Sequence, residues 1–253
     1  MNDNGIEMLV VETARQIRAG ETVFAGVGLP IMAMAIAKKF YHRDITILCE
    51  SGIVDTMPTR LAMSIADPSL AENCVGIFSP NEIFSFFLQG GRIDVGVLGG
   101  AQIDRYGNVN STVIGPYAQP KLRMPGSGGA CEIASNAKST IIVMPQSKRR
   151  FVDRVDFVTS PGHVTCPETR RNIRGGGPRA AVSDLGLYRF SEEDGEMVLA
   201  GLFGGVSLDD VREKTGWEMK CPETVARIEP PTAEEIEFIH SLDPQGIFLG
   251  KVG

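Results

Sequence analysis

Apolar positions along this 253-residue chain change their period several times, and each change marks an element. Over 6–19 they recur at helical spacing through Leu9, Val10, Ala14 and Ile17, with Gly20 placed to cap the end, which predicts a helix. Residues 22–25 read as a short buried strand and 26–28 as a tight turn. A helix follows over 30–40, with Pro30 in its first turn. A β-branched run at 45–49 predicts a second strand, ending at Glu50-Ser51-Gly52. A helix around 82–89 then leads into a strand over 93–98. This alternation predicts an α/β fold: an open, mostly parallel sheet flanked by helices, in one domain covering 1–253.

After Leu98 the texture changes. The stretch from Gly99 to Thr112 is dense in turn formers and polar side chains and lacks both periods, so it reads as an ordered loop. A second glycine cluster, Gly126-Ser127-Gly128-Gly129-Ala130, opens a helix to Asn136, and a strand follows over 140–144. Further strand or hairpin segments are expected over 180–183, 187–190 and 197–202, then helices over 208–214 and 233–240. The segment 170–179, with four arginines and three glycines, reads as a mobile basic loop. No repeat, linker or low-complexity segment interrupts the chain.

Composition narrows the function classes. With 43% apolar and 22% charged residues the chain is of ordinary globular type, and at this length it needs no disulfide or structural metal to fold. Lys and Arg number 25 against 31 Asp and Glu, a net charge of −6, which lacks the footprint of a nucleic-acid binder. The longest uninterrupted apolar run, 31–37, has seven residues, against the roughly 20 that cross a bilayer, so no membrane association is expected. Asp3 and Glu7 near the start do not suit a secretory leader, and the expected location is the cytoplasm. Five cysteines (Cys49, Cys74, Cys131, Cys166 and Cys221) form no C-x-x-C pair and read as reduced, mostly buried thiols. The three histidines, His42, His163 and His240, lack metal-ligand spacing, so no metal is expected and histidine-based mechanisms lose ground.

Against that background Glu50 stands out. It follows a buried strand at its carboxyl end, where open α/β sheets place ligands. A carboxylate there can serve as general base, metal ligand or covalent nucleophile, or it can simply cap a turn or pair with a cation. Neighbouring strand residues face opposite ways, which sends Cys49 into the core if Glu50 faces a pocket. The 126–130 loop offers consecutive N–H groups that suit a phosphate or a developing oxyanion, or else permits close packing of a helix on the sheet. It matches neither the P-loop nor the dinucleotide fingerprint. Lys148-Arg149-Arg150 reads as a solvated edge or as an anion contact.

Taken together, Gly26-Val27-Gly28-Leu29-Pro30, Cys49-Glu50-Ser51-Gly52, Gly99-Gly100-Ala101-Gln102-Ile103-Asp104, the run from Tyr106 to Thr112, and Gly126-Ser127-Gly128-Gly129-Ala130 resemble a family I CoA-transferase β subunit. The likeness continues through Lys148-Arg149-Arg150-Phe151 and Val158-Thr159-Ser160-Pro161-Gly162. The resemblance implies the layout shared with ribose-phosphate isomerases and sugar-phosphate deaminases. It implies transfer of CoA from an acyl-CoA to glutaconate or a related short dicarboxylate, with coenzyme A as substrate and no cofactor. It further implies that Glu50 is the nucleophile of a ping-pong reaction through an acyl-glutamyl anhydride and a glutamyl-CoA thioester. Gly128, Gly129 and Ala130 become the oxyanion donors, and Ser51, Gly52, Gly99, Gly100, Ala101 and Gln102 the substrate and CoA loops. A separately encoded α subunit is implied as partner, in an α2β2 or larger assembly. Two other readings share the scaffold: an acyl-CoA hydrolase or ring-cleaving enzyme, and a non-catalytic partner subunit.

Overall fold

A computed structural model describes residues 5–163 and 173–250. Helix α1 is Gly5–Arg15, and it stops short of the expected end at 19. Thr13 Oγ1 donates to the Leu9 carbonyl at 2.7 Å, and the Gln16 and Ile17 amides reach back only three residues. Such tightening closes a helix, and Gly20, at φ +72°, turns the chain. Strand β1 is Thr22–Ala25, helix α2 Leu29–Ile36, continued by a π-helical turn Ala37–Tyr41, and β2 Thr46–Leu48. Two short strands follow, β3 (Ile53–Val54) and β4 (Gly76–Ile77). Helix α3, Pro80–Glu82, starts with a reciprocal Ser79–Glu82 cap and runs into a π-helical segment, Ile83–Leu88. Then come β5 (Val95–Leu98), β6 (Gln102–Ile103), β7 (Val109–Asn110), β8 (Val113–Ile114), β9 (Leu122–Arg123) and α4 (Ala130–Asn136). The remainder comprises β10 (Ser139–Val143), β11 (Pro178–Val182), β12 (Gly186–Phe190), β13 (Met197–Leu202), α5 (Leu208–Glu213), β14 (Ala226–Arg227) and α6 (Ala233–Leu242).

Among the described residues ten strands make one sheet in the order β14-β13-β12-β11-β10-β5-β1-β2-β3-β4. Its five central strands, β11-β10-β5-β1-β2, pair in parallel, and the antiparallel pairs lie outside them. From β1 the chain steps to β2 on one side, then to β5 on the other. The carboxyl ends of β1, β2 and β5 therefore flank a reversal of strand order, where α/β sheets bind ligands. Glu50 and Gly99 emerge there. Helices α1, α2 and α6 cover one face of the sheet, and the Ile83–Leu88 segment and α4 cover the other.

Polar residues after Gly99 do more than form a loop. They make two small antiparallel pairs, β6 with β7 and β8 with β9. The turn between β6 and β7 is held by Asp104, whose Oδ1 accepts the Tyr106 and Asn108 amides, each at 3.0 Å. Side-chain acceptors, rather than apolar alternation, set this segment, so periodicity does not reveal its strands. Of the cysteines described, all four are free; only Cys49 is buried, and Cys131 is exposed. The expectation of mostly buried thiols is thus corrected, while Cys166 lies outside the described residues, as does 164–172. What remains of the expected mobile basic loop is ordered. The Gly175 amide donates to the Ser135 carbonyl at 2.7 Å, and Arg179 lies in β11, donating to Glu21 Oε2 at 2.8 Å.

Helix α4 sits directly on β5. A Cβ at Gly96 would come within 2.2 Å of Ile133 Cγ2. The Gly96→Ala substitution is expected to lower stability by about 1–3 kcal/mol and to lift α4, with Gly129 at its start. Denaturant unfolding checks this, and an unchanged midpoint at unchanged slope contradicts it.

Candidate active site

Glu50 lies in a tight turn after β2. The Gly52 amide donates to the Cys49 carbonyl at 3.0 Å, and the Cys49 amide donates to the Ile53 carbonyl at 2.9 Å. Gly52 has φ +97°, and a Cβ there would lie 1.8 Å from the Phe78 carbonyl oxygen. Only glycine allows that approach. The Phe78 amide donates to the Gly52 carbonyl at 2.9 Å, so the segment after β4 holds the turn. Ser51 Oγ is buried with no hydrogen-bond partner among the described residues.

Across the carboxyl edge of the sheet, the Gly129 N–H donates to Glu50 Oε1 at 2.6 Å. The contact leaves no space: a Cβ on Gly129 would lie 2.3 Å from Oε1 and 2.6 Å from Phe84 Cζ. Phe84 packs in turn on Phe24 of β1, with ring centroids 5.5 Å apart. The loop is anchored at its other end by Ser111, whose carbonyl accepts the Gly126 amide at 3.1 Å and whose Oγ donates to the Gly126 carbonyl at 2.9 Å. Gly126 and Gly128 have φ +99° and +48°.

These contacts divide the expected donors. Gly129 faces the carboxylate, whereas the Ala130 amide is spent on the Ser127 carbonyl at 2.9 Å, so Ala130 does not present a free N–H. Gly128 is exposed, and its N–H makes no hydrogen bond to the described residues. Gly99, Gly100, Ala101 and Gln102 instead line a separate groove of about 940 Å³, which Met124 and Pro125 also border just before Gly126. Gln102 is committed to structure there: its Oε1 accepts from Asn110 Nδ2 at 2.7 Å and from the Asp156 amide at 3.1 Å. Phe84 and Phe78 are not legible as site residues in the sequence, because their partners lie far away along the chain and no short motif contains them; Ser111 lies in the 106–112 run, but nothing there points to Gly126.

Cys49 points into the core, 2% exposed. Burial, with the Glu50 charge adding to it, pushes its thiol up to about 12. Near neutral pH it carries no thiolate and is not the nucleophile.

A family model described as coenzyme A transferase matches residues 6–214. The chain belongs to the coenzyme A transferase family. The β subunit of the 3-oxoadipate CoA-transferase of Pseudomonas knackmussii is 42% identical over 239 residues, covering 94% of this chain and 92% of its own. The β subunit of glutaconate CoA-transferase from Acidaminococcus fermentans is 38% identical, covering 96% and 94%. The crystal structure of that enzyme aligns over 97% of this chain and 96% of its own with a TM-score of 0.88. The decarboxylase AibA/AibB, at 26% identity, aligns over 98% of each chain with a TM-score of 0.82.

Two outcomes test this geometry. Iodoacetamide at about pH 8 is expected to modify Cys131 and spare Cys49 in the folded protein, as read by peptide mass mapping; labelling of both at similar rates contradicts the assignment of Cys49 to the core. Gly129→Ala keeps the N–H but its Cβ displaces the Glu50 carboxylate and Phe84, so it is expected to lower CoA-transferase activity by about 100-fold, the scale of losing one preorganised donor contact, and activity within a few-fold of wild type contradicts the Glu50–Gly129 contact.

Proposed function

We propose that this chain is the β subunit of a CoA-transferase, completed by an α subunit in an α2β2 or larger assembly, and that Glu50 is its covalent nucleophile. The observation that carries this reading is a carboxylate at the end of a central parallel strand with a backbone N–H 2.6 Å from one oxygen. Glu50 attacks the thioester carbonyl of the acyl-CoA, the C–S bond breaks, and an acyl-glutamyl anhydride and CoA thiolate result. The thiolate then attacks the glutamyl carbonyl, releasing the donor acid and leaving a glutamyl-CoA thioester. An acceptor carboxylate repeats the two steps in reverse and leaves as its CoA ester, restoring Glu50.

Negative charge develops on two different oxygens during this sequence. When the thioester is attacked it lies on the substrate oxygen, for which the Gly128 N–H is a candidate donor. When the glutamyl carbonyl is attacked it lies on an oxygen of Glu50, where the Gly129 N–H is already placed. Such fixed donors are commonly worth about 3–4 kcal/mol each in the transition state. Carboxylate and thiolate exchange places with little net proton transfer, so the chemistry requires neither a histidine nor a metal.

The names of the two β-subunit relatives support a dicarboxylic acid acceptor, since 3-oxoadipate and glutaconate both carry two carboxylates. The higher identity to the 3-oxoadipate enzyme favours a related short dicarboxylate over glutaconate within the expected class.

For the complex with its α subunit, Glu50→Gln is expected to reduce transfer by at least about 1,000-fold, or about 4 kcal/mol, while leaving thermal stability nearly unchanged, because the amide oxygen can still accept from Gly129. Turnover near that of wild type identifies a non-catalytic partner subunit instead. Product analysis without acceptor separates the remaining reading: steady release of free CoA and acid means hydrolysis, whereas a transferase releases at most one equivalent of donor acid and keeps the CoA on the enzyme as the thioester.

A further inference from the structure

Phe84 sets an apolar ring beside the Glu50 carboxylate. Phe84 Cζ and Cε1 lie 2.6 and 3.0 Å from the position a Cβ on Gly129 would take, and Glu50 Oε1 lies 2.3 Å from the same point. Ring and carboxylate thus meet over one glycine. The ring is half-buried at the rim of the smaller core cluster, backed by the fully buried Phe24. Its backbone is held at both ends. The Ser79–Glu82 cap starts the helical segment, and the Gln89 amide donates to the Phe84 carbonyl at 2.8 Å, a π-helical bond of a kind frequent at functional sites. Gln89 Nε2 also donates to Glu132 Oε2 at 3.4 Å, which ties the end of the segment to α4, the helix that Gly129 opens. Among the described residues no cation pairs with Glu50; Oε1 has a backbone N–H and an apolar ring for neighbours.

We infer that Phe84 decides between transfer and hydrolysis at this site: its ring keeps water from the intermediates held on Glu50 and leaves them to carboxylate and thiolate. The inference rests on the proposed covalent reaction and names a determinant of its outcome. A glutamyl-CoA thioester is open to hydrolysis. Water adding to the glutamyl carbonyl breaks the C–S bond; one of its protons goes to the CoA sulfur and the other to solvent, and Glu50 is freed as carboxylate with no transfer. The Gly129 N–H, placed for charge on the glutamyl oxygen, stabilises that oxyanion whichever nucleophile attacks. The donor by itself therefore gives no preference for transfer, and the preference has to come from excluding water. An aromatic ring suits that task. It fills the space beside Gly129 and Oε1, and it offers no oxygen or nitrogen to hold a water in place or take its proton.

The test uses the assembled two-subunit protein in two variants. Phe84→Leu keeps an apolar side chain at the core rim but removes Cε1 and Cζ, the atoms that reach Gly129. Phe84→Met restores the apolar reach with an unbranched side chain. Each protein is loaded at Glu50 with a short dicarboxylic acyl-CoA that wild type turns over, stripped of donor acid and excess acyl-CoA by rapid gel filtration, and aged without acceptor. The CoA-bearing Glu50 peptide is then followed by mass spectrometry. The expected result is loss of the thioester about tenfold faster in Phe84→Leu than in wild type, with the ratio of acceptor-free CoA release to transfer rising by the same factor. Phe84→Met is expected to return both to within about threefold of wild type. An unchanged lifetime in Phe84→Leu overturns the inference and leaves the covalent reaction standing. So does a fall in loading and transfer with no rise in that ratio, the signature of a purely structural role. Wild-type turnover with no thioester at Glu50 refutes the covalent reaction and the inference together.

Discussion

A single hydrogen bond, from the Gly129 N–H to Glu50 Oε1, joins two parts of the chain that are 79 residues apart. One partner stands at the end of a parallel strand and the other at the start of a helix packed on the next strand but one. For the bond to form, β2, β1 and β5 must lie in register, α4 must rest on Gly96, and the turn around Glu50 must close against Phe78. The bond therefore depends on the order of the sheet and on three glycines. At Gly52 the backbone of Phe78 allows no side chain, at Gly96 the helix comes too close, and at Gly129 the carboxylate itself occupies the space.

The same arrangement separates the two reactive-looking side chains that follow β2. Cys49 turns into the core, where burial and the neighbouring carboxylate hold the thiol neutral. Glu50 faces the carboxyl edge and keeps a donor on one oxygen. In the proposed reaction this carboxylate is the nucleophile, and backbone dipoles held by the fold stabilise the charge as it moves.

Much of this is legible in the sequence. The strand, turn and helix rhythm of 22–40 and the strand before Glu50 follow from apolar periodicity, and the 126–130 glycines announce a helix start. The carboxylate can be singled out by its position alone. What the linear pattern does not carry is proximity. Nothing near Glu50 in sequence points to Gly129, and Phe84, which packs beside Gly129, sits in a helical segment whose apolar side chains look like ordinary core. The short strands β3, β4 and β14 escape periodicity because two residues have no period. Gln102, which the resemblance implies to lie in a substrate and CoA loop, also holds structure: its side-chain amide bonds Asn110 and Asp156, partners that no linear pattern announces.

The central claim is that Glu50 forms a covalent bond to the CoA moiety. Incubation of the assembled protein with acyl-CoA in the absence of acceptor, followed by rapid quenching, proteolysis at low pH and mass spectrometry, tests it directly. The account predicts a peptide bearing CoA in thioester linkage at Glu50, lost on addition of the acceptor acid before the quench. Turnover of the same sample with no adduct at Glu50, or with the adduct on another side chain, would contradict it.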